Sequence, residues 1–269
     1  MQVRLRAAIY DATLNLFLDS YAELAEHALR TETGPLVVRL NRLISAFDDK
    51  YEERLASGAS LDFKAVFAEA EVQERLTVLS EFLRPHRERH AIRDLLLTRT
   101  SAQYPRYVEI TTQETTSRTV IADLESIVLD SAGFAKVFAE VVGVFHGKPP
   151  HERILAQFSH MGIIAKLTDD IVDFWDDLAN GRLNVLHGLL RENAAEHERV
   201  MACAATRRAA GLRWWRTTCP ISFERHCDLL REQRRCVTSR PLQLACDLML
   251  VPVALRRPVL HTVPVGLRI

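Results

Sequence analysis

The sequence predicts an all-α fold built as one antiparallel helical bundle. Three observations point there. Apolar residues recur at helical spacing, as at Ile9, Leu14, Phe17, Leu18, Tyr21 and Leu24. No strand-like alternation of useful length occurs before the tail that follows Pro258. No repeat or low-complexity linker divides the 269 residues, so a single domain over 1–269 is expected, with 260–269 as a loosely ordered tail.

Residues 3–30 read as an amphipathic helix, broken by Thr31 to Pro35. Pro35 suits the first turn of the next helix, expected to run to about Ala56, because its missing N–H has no intrahelical partner there anyway. Ser57-Gly58-Ala59-Ser60 is a turn, and 61–84 reads as a third helix ended by Pro85. His86 to His90 is a polar connection or a helix start. The 91–113 segment reads as two helical pieces interrupted at Tyr104-Pro105. A helix over about 116–145 is ended by Gly147, Pro149 and Pro150. The next runs from 151 to about 178 and closes at Asn180-Gly181. Three further helices are expected, with breaks near Gly188, Cys219-Pro220 and Ser239-Pro241.

The totals exclude several function classes. A 48% hydrophobic fraction with few glycines and prolines fits a globular helical protein. A formal charge of zero offers no electrostatic case for nucleic acid. The five cysteines lack metal-ligand spacing and fit reduced thiols in a cytoplasmic protein. Arg4 and Arg6 are followed by no apolar signal core, and no run is long enough to span a bilayer, so a soluble chain without stable membrane insertion is expected. No HExxH, glycine-rich phosphate loop, serine elbow or CxxC occurs.

What stands out is Leu167-Thr168-Asp169-Asp170-Ile171-Val172-Asp173-Phe174-Trp175-Asp176-Asp177, five aspartates within nine residues in an apolar run that begins at Ile163. Helical spacing puts Asp169, Asp173 and Asp177 on one face, flanked by Asp170 and Asp176. Ile171, Val172, Phe174 and Trp175 cover the rest, so the helix should be buried. Buried carboxylates need cations, and all-oxygen ligand sets suit hard divalent ions such as Mg²⁺. Another acidic cluster, Asp48-Asp49-Lys50-Tyr51-Glu52-Glu53, the first in chain order, ends a further apolar run about 120 residues upstream. Asp48 and Glu52 share a face, with Asp49 beside them. Alone, this cluster also reads as an ordinary polar helix end, with Lys50 and Arg54 to neutralise it.

Taken together, the two clusters resemble the trans-isoprenyl diphosphate synthase and class I terpene synthase superfamily, especially its small bacterial terpene cyclases and natural-product prenyltransferases. Asp48-Asp49-x-x-Glu52 is similar to the first motif in its DDxxE form. Asp169-Asp170-x-x-Asp173-x-x-x-Asp177-x-x-x-Gly181-x-x-Asn184 is similar to the second motif and its downstream tail. Gln113 lies about 55 residues before the second motif, where related enzymes often carry a glutamine. The resemblance spans about Gly34 to Leu190. It stops short of chain-elongating synthases, which carry an Arg-Arg pair after the first motif and a basic segment before it; here Glu53-Arg54-Leu55 follows, and Lys166 replaces a glutamine three residues before the second motif.

The resemblance implies a bundle of the terpenoid synthase type and a cluster of two or three Mg²⁺ ions, with Mn²⁺ as a substitute. Asp48, Asp49 and Glu52 would form one metal-binding wall. Asp169, Asp170 and Asp173 would form the other, with Asp177 as a further ligand or behind them. It implies diphosphate contacts from Lys166, Arg182 and Arg118, with Gln113 near the substrate. Aromatic faces stabilise cations, and Phe47, Tyr51, Phe138, Phe145, Phe174 and Trp175 lie on or near the relevant helices. Each basic residue has a plainer reading as a surface salt bridge, and each aromatic as core; Trp214-Trp215 reads as packing or a lid contact. The expected function is ionisation of an allylic isoprenyl diphosphate, cyclisation and diphosphate release. The alternatives are prenyl transfer to an acceptor, and a non-catalytic helical binding protein or silent synthase subunit. A homodimer is common in proteins of this resemblance.

Overall fold

The computed structural model describes residues 12–113, 119–203 and 211–250, together with the helical backbone of residues 2–11. Every regular element among them is a helix: α1 (Gln2–Ala25), α2 (Thr33–Ser57), α3 (Phe63–Phe67), α4 (Ala70–Leu83), α5 (Arg89–Thr111), α6 (Val120–Leu129), α7 (Ser131–Phe145), α8 (Glu152–Val172), α9 (Phe174–Ala179), α10 (Val185–Arg191), α11 (Ala194–Ala202), α12 (Leu212–Thr218), α13 (Pro220–Cys236) and α14 (Arg240–Met249). None is long and apolar enough to cross a membrane. The expected loose tail at 260–269 lies outside the described residues.

The helices are shorter and more numerous than the periodicity suggests, each for a local reason. Glu26 takes left-handed backbone (φ 54°), which stops α1 at Ala25 instead of residue 30. α2 starts at Thr33 with Pro35 still in its first turn, and Gly58 (φ 68°) closes it where a Cβ would strain. The expected helix over 61–84 is two, because Asp62 caps α3 through the Lys64 and Ala65 amides (2.9 and 3.3 Å) and Glu69 turns extended before α4. α5 runs unbroken through Pro105, where two pieces were expected. Tyr104 anchors that stretch: its hydroxyl donates to the Leu61 carbonyl (2.7 Å), and its ring meets Phe63, Phe47 and Tyr51 at 5.3, 5.7 and 5.9 Å. This packing offsets the roughly 3 kcal/mol penalty of a mid-helix proline.

The two longest expected helices are also divided. Asp130 (φ −85°, ψ −92°) separates α6 from α7, and Asp173 (ψ 9°) separates α8 from α9. Neither break carries a glycine or proline. Gly188, expected to end a helix, sits inside α10, where a Cβ would come 2.5 Å from the Asp123 carboxylate. The breaks at Cys219-Pro220 and Ser239 to Pro241 fall as expected, with both prolines in first turns.

α7 is the central helix, with Ala132, Ala135, Val137, Phe138, Ala139, Val141, Val142 and Phe145 all buried. α8 lies along it so closely that a Cβ on Gly162 would meet the Ala132 Cα at 2.8 Å. α1 brings Phe17 against Phe158 (4.6 Å) and Phe138 (6.1 Å). α13 covers α8: the fully buried His226 meets the Leu167 carbonyl through Nε2 (2.7 Å), and Gln157 donates to the Cys236 carbonyl (2.8 Å) while accepting from the Thr238 amide (2.6 Å). The α13 N-terminus is capped by Glu196, which accepts from the Ile221 and Ser222 amides at 2.8 Å each.

A Gly162→Ala substitution must push α8 off α7 and should cost about 1–3 kcal/mol in urea unfolding. Burial holds His226 and His146 down to about 4, against an ordinary value of 6.5. The folded state therefore favours their neutral forms, so their contribution is fully present above pH 6.5 and is lost as pH falls toward 4. The urea midpoint should drop across that window, and His226→Gln should flatten the drop.

Candidate active site

The two acidic clusters, about 120 residues apart in the chain, lie on facing elements. Asp48, Asp49 and Glu52 ride on the C-terminal half of α2, whose Tyr51 is buried and anchors that face through a hydrogen bond to the Thr111 hydroxyl on α5. Lys166, Asp169 and Asp170 occupy the last turns of α8, Asp173 the bend, and Asp177 α9. Arg182, in the turn after α9, reaches across to Glu52 with Nη2 at 2.6 Å from Oε2. That ion pair joins the first cluster to the second.

Lys50 neutralises the end of the first cluster at Glu53, while Arg54 turns away from it. Lys50 pairs with Glu53 (2.8 Å) and Glu71 (3.6 Å), and Arg54 with Glu69 (2.5 Å). Both point toward α4 and its approach.

Asp170 is the pivot of the second cluster and has no exposed surface. Its Oδ2 accepts from the Val185 amide at the start of α10 (2.8 Å), and its Oδ1 lies 3.2 Å from the Lys166 ammonium. Asn184 completes the knot. Its Nδ2 donates to the Asp170 carbonyl (2.8 Å) and the Asp177 carboxylate (2.9 Å), while its Oδ1 caps α10 at the His187 amide (3.1 Å). Gly181 (φ 65°) makes the turn that carries the chain back to Asn184.

The electrostatics follow from burial. Desolvation raises the Asp170 carboxyl to about 7 against the pull of Lys166, and raises Asp177 in the same way. Burial works against the Lys166 ammonium, but Asp170, Asp177, Asp169 and Asp130 outweigh it and hold its pKa well above the ordinary value. Asp169 is 3.6 Å from that ammonium.

Asp130 is a site residue that sequence reasoning missed. At the α6–α7 break it faces Lys166, Glu52 and Asp169, and burial raises it to about 6. The signal was a lone aspartate inside the apolar Ile127-to-Ala132 run. Beside it, Tyr107 and Tyr51 carry raised pKa values, from burial first and then from Asp130 and Asp48.

The other candidates fall in different places. Gln113 lies two residues past Thr111, at the same end of α5. Arg118 lies outside the described residues. Phe47 and Tyr51 pack with Phe63 and Tyr104 or Tyr107 into a small aromatic core between α2, α3 and α5. Phe138 and Phe145 belong to the main core. Phe174 and Trp175 meet Trp215 (4.8 Å) and Trp214 (6.0 Å), so the tryptophan pair packs α12 onto α9. Among the described residues no three His, Cys, Asp or Glu side chains converge closely enough to hold a metal ion.

Asn184→Ala should remove a helix cap and leave the Asp177 carboxylate and Asp170 carbonyl without this donor. A loss of about 3 kcal/mol in urea unfolding is expected. Asn184→Asp should do no better, because it places another carboxylate against Asp177.

No protein-family model, curated protein or solved structure matches this chain.

Proposed function

We propose that this chain is a Mg²⁺-dependent class I terpene synthase, which ionises an allylic isoprenyl diphosphate, cyclises the resulting cation and releases diphosphate. The observation that carries this reading is the Arg182–Glu52 contact, through which two distant acidic clusters of the DDxxE and DDxxD type come to face each other.

All members of the donor set are carboxylates, the ligand type a hard divalent cation prefers, but among the described residues no three of them converge closely enough to hold one without rearrangement. Asp48, Asp49 and Glu52 would hold the ion on one side, and Asp169, Asp170 and Asp173 on the other, with Asp177 held behind them by Asn184. Bound there, Mg²⁺ would supply the Lewis acid that weakens the allylic C–O bond.

The chain's own residues do the rest. Arg182 can exchange Glu52 for phosphate oxygens, and a guanidinium fork matches them bidentately. Lys166 offers a point charge on the other wall. Without divalent ions the site would repel an anionic substrate, because its described carboxylates outnumber its two described cations. Aromatic rings stabilise cations, and Tyr51 and Tyr107, whose hydroxyls feel the Asp48 and Asp130 charges, are candidates for that role.

Asp169→Asn and Asp170→Asn should each lower diphosphate release at least a hundredfold while leaving the helical circular dichroism unchanged. Asp48→Ala should be similarly damaging. Each variant is read with Mg²⁺ and geranyl, farnesyl or geranylgeranyl diphosphate, by phosphate assay and mass spectrometry. A product of unchanged carbon number from a single substrate is expected. A longer product formed only with an added acceptor would make the chain a transferase, and no turnover with any substrate would leave it non-catalytic.

A further inference from the structure

The formal charge of this chain is zero, but it is not evenly spread. From Gln233 to Ile269 the sequence sets Arg234, Arg235, Arg240, Arg256, Arg257 and Arg268 against a single acid, Asp247, so the rest of the chain carries the balancing negative charge. In the fold this basic stretch begins at the corner where the last turn of α13 meets α14. Arg234 grips both oxygens of Asp247 (2.9 and 3.0 Å), which ties α13 to α14 and neutralises the one acid that α14 carries. Glu23, the acid that α1 brings to the start of α14, accepts from the Ser239 hydroxyl (3.1 Å). Glu232 is exposed one turn before Arg235. Arg235 and Arg240 are themselves exposed and form no ion pair among the described residues. Helical spacing puts Arg240, Leu244 and Asp247 on one outward face of α14, and Leu244 is 51% exposed there. The sequence after Leu250 keeps the same character, with Val, Ala, Leu or Ile at ten positions and no acid.

We propose that this corner, the last turn of α13 with the outward face of α14, docks on an anionic membrane surface. Charge complementarity selects the partner. A leaflet containing anionic lipid attracts arginines that come near it, and the attraction fades within a Debye length. A guanidinium fork also matches the oxygens of a lipid phosphate in pairs. The exposed Leu244 sets a membrane apart from a nucleic acid, since an aliphatic side chain gains from the boundary between headgroups and acyl chains and gains nothing from a phosphate backbone. The chain lies on the bilayer instead of crossing it, because no helix is long and apolar enough to span one. Only a few unbalanced charges and one aliphatic side chain of the described face take part, so the binding is reversible and sensitive to salt. It does not depend on the chemistry proposed above, since neither acidic cluster touches this corner.

The test is co-sedimentation of the full chain with vesicles of phosphatidylcholine alone or of phosphatidylcholine mixed with phosphatidylglycerol. Binding to the mixed vesicles should be at least about tenfold tighter than to the neutral ones, and added salt should release it. The double variant Arg235→Gln with Arg240→Gln should weaken that binding by about fivefold per arginine, while lysine at both positions should keep most of it. Leu244→Ser should weaken it by about fivefold. The control pair Arg84→Gln with Arg93→Gln removes the same charge from exposed positions at the end of α4 and on α5, and should leave vesicle binding unchanged. Circular dichroism of every variant should match the wild type, since all these side chains are exposed. Equal binding to both vesicle types, or no binding to either, would overturn the proposal. So would binding that the corner variants leave intact, or that the control pair weakens as much as they do. Binding of a labelled duplex DNA or RNA in place of vesicles, unaffected by Leu244→Ser, would overturn it in favour of a nucleic-acid surface.

Discussion

A fully buried carboxylate has to be met by donors and positive charge, and the way Asp170 is met organises much of this molecule. One oxygen takes the Val185 amide and so fixes where α10 begins. The other takes the Lys166 charge. Asn184 then ties the Asp170 carbonyl, the Asp177 carboxylate and the first turn of α10 into one unit. The turn between Gly181 and Asn184 is held by that unit, which delivers Arg182 to Glu52 and draws α2 onto the same face. Leaving any of these groups unmet at this depth would cost far more than an exposed ion pair contributes.

This arrangement needs a rigid platform, and α7 with α8 provides it. Small residues along α7 and Gly162 on α8 let the two backbones approach closely, which sets the depth at which the acidic turns sit. α13 supports α8 from the far side, with His226 on the Leu167 carbonyl, beside Lys166 and two residues before Asp169. Packing of this density resists displacement, so the carboxylates are held in place rather than left to drift on a flexible surface.

The charge balance at the site is lopsided by design of the fold. Lys50 pairs with Glu53 at the end of the first cluster and with Glu71 on α4, while Arg54 turns to Glu69. Asp130, at the α6–α7 break, adds a further buried acid that interacts electrostatically with Glu52 and Asp169. A plain acidic surface patch would spread into solvent, where each charge is screened.

Much of this was legible in the sequence, because helical periodicity is a local property. The all-helical class, the breaks at Pro220 and Pro241, and both acidic clusters follow from residue spacing alone. So does the contact between Lys166 and Asp170, four residues apart on one helix. The breaks at Asp130 and Asp173 were not legible, since neither carries a proline or glycine and both depend on what packs around them. The continuity of α5 through Pro105 is set by the Tyr104 contacts, and the place of Gly188 by the closeness of Asp123. Asp130 could join the site only once α6 and α7 had folded back against α8. By itself, then, the sequence determined that the chain is helical and where along it the acid lies. Only the tertiary structure decided which charges face one another, because the Arg182–Glu52 and Asp130–Lys166 encounters join residues that are far apart in the chain and meet only through packing.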